Sequence, residues 1–147
     1  LQLFDKVNAA ADPDASLTGG HWMTAYLFVA AGGALGSCLR YFLTQLMMTL
    51  FGKSFPFGTL SVNLLGSLAI GITLGVLQQE VLTSHPWRPF IMVGILGGLT
   101  TFSSFSLDTL LLLQQGEWLK GVLNIVINVG CCLLLTWIGL QAVLNRF

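Results

Sequence analysis

Four long apolar segments, separated by short polar stretches, dominate the pattern of the chain. They run from about Trp22 to Leu46, Phe57 to Leu77, Pro89 to Leu113 and Val122 to Val143. An α-helix needs roughly 20 predominantly apolar residues to cross the hydrocarbon core of a bilayer. Each segment is long enough to do so. The pattern therefore predicts an all-α membrane protein with four transmembrane helices.

One short polar stretch interrupts the third apolar segment. Residues 97–106 read Gly-Gly-Leu-Thr-Thr-Phe-Ser-Ser-Phe-Ser. Unpaired backbone groups are costly in hydrocarbon, so an irregular stretch is tolerated there only against protein or a wet cavity. We expect the third helix to be broken between Gly97 and Thr101, because Gly has a weak helix preference and Thr a stiff χ1. The stretch is either a site or a packing device in which hydroxyls bond to their own helix.

Two other segments carry small or polar residues every four positions, on one helical face. In the second segment these are Thr59, Asn63, Ser67, Gly71 and Gly75, and in the fourth they are Asn124, Asn128, Cys132 and Thr136. An amide inside a membrane needs a partner, so both faces are predicted to turn inwards. They are either packing faces or the walls of a pathway.

Composition supports the membrane assignment and excludes several functions. Only 8% of the 147 residues are charged, against about 25% in a soluble domain. Six basic and six acidic residues balance, which gives no sign of a nucleic-acid surface. The three cysteines lack metal-type spacing, and no catalytic constellation emerges, so we expect no enzyme. Residues 1–21 are interpreted as a polar N-terminal extension and residues 22–147 as one transmembrane domain.

The basic residues divide equally between the two predicted sides of the membrane. Lys6, Arg88 and Arg146 fall on one side, and Arg40, Lys53 and Lys120 on the other. The positive-inside rule then favours neither orientation. We therefore expect insertion both ways and an antiparallel homodimer with its two-fold axis in the membrane plane.

Two charges lie in or near the apolar segments. Arg40 is either an interfacial residue that snorkels to the headgroups or a vestibule charge that attracts anions. Asp108 is the only acid well inside an apolar segment, and it should face protein or water. Its role does not follow from the sequence.

Three local patterns together resemble one protein family. They are residues 32–41 (GGALGSCLRY), residues 57–67 (FGTLSVNLLGS) and residues 97–106 (GGLTTFSSFS). In this order and spacing they look like the Fluc (CrcB) fluoride channels of bacterial membranes, over roughly Tyr26 to Val143. The third pattern is the most specific of the three.

The resemblance implies a passive channel that exports cytoplasmic fluoride across the bacterial inner membrane, as a dual-topology antiparallel homodimer. It implies a structural Na⁺ at the dimer centre, held by the backbone carbonyls of Gly97 and Thr100. It places Arg40 in a vestibule. The implied fluoride pathway comprises Asn63, Thr101, Phe102, Ser103, Ser104, Phe105, Asn128, Cys132 and Thr136. Cys132 departs from the hydroxyl residues that are frequent on this track, and a thiol is the weaker donor.

Two alternatives remain open. A proton-coupled exporter of the small multidrug type needs a titratable carboxylate in an early span, but the first two spans contain none, and Asp108 is the only candidate. A membrane assembly subunit that transports nothing would use its small-residue faces only for helix packing.

Overall fold

Four membrane-length helical segments make up the computed structural model of the chain, which describes residues 21–78 and 87–145. The predicted N-terminal extension lies outside the described residues, except for His21. The helices are α1 (His21–Phe51), α2 (Phe57–Gln78), the two halves of a broken third helix, and α5 (Trp118–Leu144). The candidate spans are Trp22–Phe51, Phe57–Gln78, Pro89–Gln114 and Trp118–Leu144, which confirms the four predicted ones.

The first and fourth helices are longer than predicted. Helix α1 continues beyond Leu46 to Phe51, and in this extension the Thr49 hydroxyl donates to the Gln45 carbonyl at 2.9 Å. The helix ends at Phe51, and Gly52 follows it with a φ of 75°, which suits a residue without a Cβ. Helix α5 starts at Trp118, four residues before the predicted Val122, in a segment that carries an exposed ion pair between Lys120 and Glu117.

The third helix is broken, as predicted, but its threonines form the break. It begins with a π-helical segment, Pro89–Leu96, which continues into an α-helical turn, Gly97–Leu99; we call residues 89–99 α3. Thr100 (φ −80°, ψ 156°) and Thr101 (φ −154°, ψ 115°) are extended. The chain then re-enters a helix, α4 (Phe102–Gln114). Gly97 is itself helical, with φ −65° and ψ −37°.

The glycines serve close helix packing. A Cβ on Gly98 would lie 2.8 Å from the carbonyl oxygen of Gly33, and a Cβ on Gly36 would overlap the carbonyl of Ile95. These contacts join α3 to α1. Helix α2 packs in the same way on α5, where a Cβ on Gly71 would overlap the carbonyl of Thr136. Small residues allow such close approach in membranes, where there is no hydrophobic drive between helices.

A Gly71→Ala substitution should therefore destabilise the protein, by about 1–3 kcal/mol, because the methyl group has to push α2 away from α5. The measurement is thermal unfolding of the purified protein in detergent. Gly130→Ala is the matched control, since nothing lies within 4 Å of its added Cβ and Ala is the better helix former. Equal unfolding temperatures for the two variants would contradict this account of the packing.

Candidate functional site

The break in the third helix is held by the side chain of Asn63 on α2. The backbone N–H of Thr101 donates to Asn63 Oδ1 at 2.8 Å, and Asn63 Nδ2 donates to the Thr101 carbonyl at 3.2 Å. This pair of bonds replaces the helical bonds that an extended residue cannot make. Asn63 thereby satisfies backbone groups that would be costly to leave unpaired in a membrane.

Thr101 also caps the helix that follows the break. Its Oγ1 accepts a hydrogen bond from the Ser104 backbone N–H at 3.2 Å, the usual geometry of an N-cap threonine. The hydroxyls of Ser103 and Ser104 each lie 3.1 Å from the same oxygen. The first turn of α4 is thus fixed in place, with the positive end of its dipole at the break.

Two phenylalanine rings follow the cap and lie side by side. The ring centroids of Phe102 and Phe105 are 5.3 Å apart, with 55° between the ring planes. Phe105 is buried, with 7% of its surface accessible, whereas Phe102 is 76% exposed on the single chain. The predicted proximity of the two rings is therefore observed, but only one of them belongs to the core of the subunit.

Both rings line an open cavity of about 420 Å³ between α2, the broken helix and α5. Six of the predicted pathway residues line it: Asn63, Thr101, Phe102, Phe105, Asn128 and Cys132. The two predicted sodium ligands, Gly97 and Thr100, line it as well. The structure thus brings together residues that are up to 69 positions apart in the chain.

The other predicted pathway residues lie outside this lining. Ser103 and Ser104 belong to the cap of α4. The Thr136 hydroxyl lies 3.0 Å from the Ser67 carbonyl and 2.9 Å from the Cys132 carbonyl, at the junction of α2 and α5. These three remain predictions as contributors to the pathway.

Arg40 reaches the break from α1. Its Nη1 donates to the Thr100 carbonyl at 3.4 Å, and its side chain is half-buried. The helix that ends at Leu99 presents carbonyls and the negative end of its dipole there, which favours a cation. A residue that only snorkelled to the headgroups would not make this bond.

Asp108 finds its partner on α2. The Thr59 hydroxyl donates to Asp108 Oδ2 at 2.6 Å, and Thr59 is buried. The expectation that this acid faces protein or water is therefore met on the protein side.

A row of buried amides extends from Asn63, and sequence reasoning captured only part of it. Asn63 Nδ2 donates to Asn128 Oδ1 at 3.1 Å, and Asn128 Nδ2 donates to Asn124 Oδ1 at 2.9 Å. Asn124 Nδ2 in turn donates to the Thr109 hydroxyl at 2.9 Å. The sequence pattern placed Asn124 on the inward face but did not predict it as a site residue. Thr109 belongs to neither of the four-residue repeats.

The sequence of the chain matches a known family over most of its length. A family model described as "CrcB-like protein, Camphor Resistance (CrcB)" matches residues 27–140. The chain is 52% identical to a "Fluoride-specific ion channel FluC" of Pseudoalteromonas translucida over 118 residues, which cover 80% of this chain and 98% of that protein. It is 51% identical to a protein of the same name from Aeromonas salmonicida over 124 residues, covering 84% of this chain and 99% of that one. Because the family model covers most of the chain and these relatives are about half identical to it over nearly their whole length, the chain belongs to the Fluc (CrcB) family.

Proposed function

We propose that this chain is a passive, fluoride-selective channel that lets cytoplasmic fluoride leave the cell across the inner membrane. The observation that carries the proposal is the pair of rings, Phe102 and Phe105, beside a helix break in an open, partly polar cavity. The relatives named above, which cover most of this chain, support the choice of ion.

The chemistry of the rings suits a small anion that must keep moving. Aromatic edges carry partial positive charge, so an anion can lie against Phe102 and Phe105 without meeting a full cation that would trap it. Conduction requires sites that bind weakly enough to release the ion. The N-terminus of α4 adds a fixed partial positive charge at the same place. In the proposed channel the path beside the rings would be narrow, so that it compensates a small ion for lost water and excludes larger halides.

The test is fluoride efflux from liposomes that contain the purified protein, followed with a fluoride electrode and compared with chloride efflux. We expect fluoride flux that follows the membrane voltage, with little chloride flux. A dependence on an imposed proton gradient would favour the proton-coupled exporter, and no flux at all would favour the assembly subunit.

We further propose that two copies pair antiparallel in the membrane. The equal division of the basic residues supports insertion in both orientations. The exposure of Phe102, an aromatic residue beside an open cavity, supports a second chain against this face. The test fuses a topology reporter to one terminus: signal from both sides of the membrane is expected, and signal from one side alone would contradict dual topology.

A structural Na⁺ at the break is part of the same proposal. The Thr101 N–H, four residues after Gly97, donates to Asn63 instead of to the Gly97 carbonyl, and Gly97 is exposed on the single chain. Carbonyl oxygens are ligands that hard cations accept. The Thr100 carbonyl keeps a lone pair beyond its bond to Arg40. Gly97 and Thr100 would hold the ion, which would tie two subunits together. Replacing Na⁺ with a large organic cation throughout purification should lower flux; unchanged flux would contradict this part.

Cys132 should limit the conduction of this chain. A thiol is a weak hydrogen-bond donor, so Cys132→Ser places a stronger donor in the cavity lining. We expect fluoride flux to rise by roughly two- to ten-fold, as one neutral hydrogen bond would allow. Cys131→Ser is the matched control, because Cys131 is the adjacent residue and does not line the cavity. A rise in both variants, or in neither, would contradict the prediction.

A further inference from the structure

We propose that Asn124 is a positioning residue of the channel: through Asn128 and Asn63 it fixes the backbone at the helix break on which the phenylalanine pair depends. This inference rests on the proposed fluoride conductance. It concerns a buried side chain outside the cavity lining, which the comparisons do not assign.

The hydrogen bonds around Asn124 form a continuous chain whose two ends lie on the same short segment. One end is the Thr101 backbone, bonded to Asn63. The other end is the Thr109 hydroxyl, which accepts from Asn124 and donates to the Phe105 carbonyl at 2.7 Å. The chain thus leaves the third helix at the break, crosses α2 and α5, and returns two turns later. The first turns of α4, with both phenylalanines, are enclosed in this loop.

The direction of every amide in the loop is dictated from both ends. At the break, a backbone N–H can only donate, so Asn63 presents its oxygen to Thr101 and its nitrogen to Asn128. At the other end, the Phe105 carbonyl can only accept, so the Thr109 hydroxyl donates to it and must accept from the nitrogen of Asn124. The donor and acceptor directions set at the two ends are compatible, because Asn128 is left with a donor and Asn124 with an acceptor, and Asn128 Nδ2 donates to Asn124 Oδ1.

Asn124 is the member on which this agreement depends. It is fully buried, with 0% of its surface accessible, and it offers a donor to Thr109 and two acceptors, Oδ1 and its own carbonyl, to Asn128. The Asn63 side chain has two N–H donors, and both are used by protein acceptors, the Thr101 carbonyl and Asn128 Oδ1. In this arrangement the amides influence the ion path through the geometry that they impose on the break. Buried networks of this kind specify one arrangement only when each member is satisfied.

The experiment compares Asn124→Leu with Asn124→Asp in the liposome flux assay, at about pH 5.5 and about pH 8.5. Leu has a similar volume but neither donor nor acceptor. A protonated Asp reproduces both functions of Asn, since its O–H can donate to Thr109 and its carbonyl oxygen can accept from Asn128; an ionised Asp can only accept. The three helices that carry the hydrogen-bonded loop, α2, α4 and α5, have two charged side chains of their own, Asp108 and Lys120. Protein-free vesicles at each pH correct for leakage of the neutral acid.

We expect Asn124→Leu to conduct at least about ten-fold less than the wild type at both pH values, the factor that corresponds to about 1.4 kcal/mol. The carboxyl band in the infrared spectrum of purified Asn124→Asp reports at which pH the introduced group is protonated. Asn124→Asp should exceed Asn124→Leu by a similar factor where its carboxyl is protonated. Wild-type flux from Asn124→Leu, or equal flux from the two variants while the carboxyl is protonated, would overturn the inference. A silent wild-type protein would instead refute the proposed function.

A second pair of variants decides the question if the Asn124 variants do not fold. Thr109→Val removes the acceptor of the Asn124 amide, and we expect a fall in flux of roughly three- to ten-fold. Thr73→Val is its matched control, because the Thr73 hydroxyl bonds only to the Ala69 carbonyl of its own helix, at 2.8 Å. Equal flux from these two variants would overturn the positioning role.

Discussion

Replacing Phe102 with Ile is expected to reduce fluoride flux to the level of protein-free vesicles. The change removes the aromatic edge, which is the part of the side chain that can face an anion, while leaving a large apolar group. Loss of one such contact accounts for at least about a ten-fold drop, because about 1.4 kcal/mol on a barrier changes a rate ten-fold. Folding should survive, since Phe102 is 76% exposed on the single chain and contributes little to its core.

The control for this prediction is another exposed phenylalanine. Phe42→Ile makes the same change on α1, where the ring is 60% exposed and lies outside the cavity lining. We expect this variant to conduct fluoride normally and Phe102→Ile to elute as the wild type does in size-exclusion chromatography. Undiminished efflux from Phe102→Ile would refute the role assigned to the ring. Phe105→Ile should abolish flux as well, but Phe105 is buried, so its variant also tests packing.

Replacing Asn63 with Leu should cost both stability and flux. The Thr101 N–H and carbonyl would lose the partners that they now have on α2. A buried backbone group left unpaired costs about 1–3 kcal/mol, so the free energy of unfolding should fall by at least that amount. The break would also lose the geometry that sets Phe102 beside the cavity. The measurements are thermal unfolding in detergent and fluoride efflux.

Ser61→Ala, on the same helix, separates this effect from the mere loss of a polar group. The Ser61 hydroxyl bonds to the Phe57 carbonyl of its own helix, at 2.6 Å, and touches no other element through that bond. We expect unfolding and flux close to those of the wild type. An Asn63→Leu variant as stable as Ser61→Ala would show that the break does not need its amide partner.

The four spans could be predicted from the sequence because a membrane imposes one requirement on every residue of a helix. A run of apolar residues of sufficient length has few other outcomes, so Phe57–Gln78 was predicted to within one residue. The ends of α1 and α5 were less predictable, because polar residues such as Gln45 and Lys120 can sit inside a helix as easily as after it.

The break shows where sequence reasoning stops. Both Gly and Thr weaken a helix, and the sequence places them side by side, so either pair could have formed the interruption. Helix packing distinguishes the two pairs. Gly98 lies in the helical turn and packs closely on Gly33, whereas Thr100 and Thr101 adopt the extended conformation. Such a contact between α1 and α3 is not visible in the order of residues.

The site could be predicted as a set of faces but not as a set of bonds. Four-residue spacing placed Asn63 and Asn128 on inward faces, and they do meet. The reciprocal pairing of Asn63 with Thr101 depends on how far the break is displaced towards α2, which spacing does not encode. Thr109 belongs to neither of the two four-residue repeats, so only the folded chain reveals its contact with Asn124.

The hydrogen bonds between Thr101 and Asn63 also have a consequence for membrane insertion and assembly. Because Thr101 finds both of its backbone partners on α2 of the same chain, a newly inserted subunit enters the lipid with the N–H and the carbonyl of this extended residue already paired. Thr101 is thus paired before the subunit meets a second copy. In the antiparallel dimer proposed above, assembly would be the meeting of two such subunits of opposite orientation by lateral diffusion, and its rate should rise with expression level.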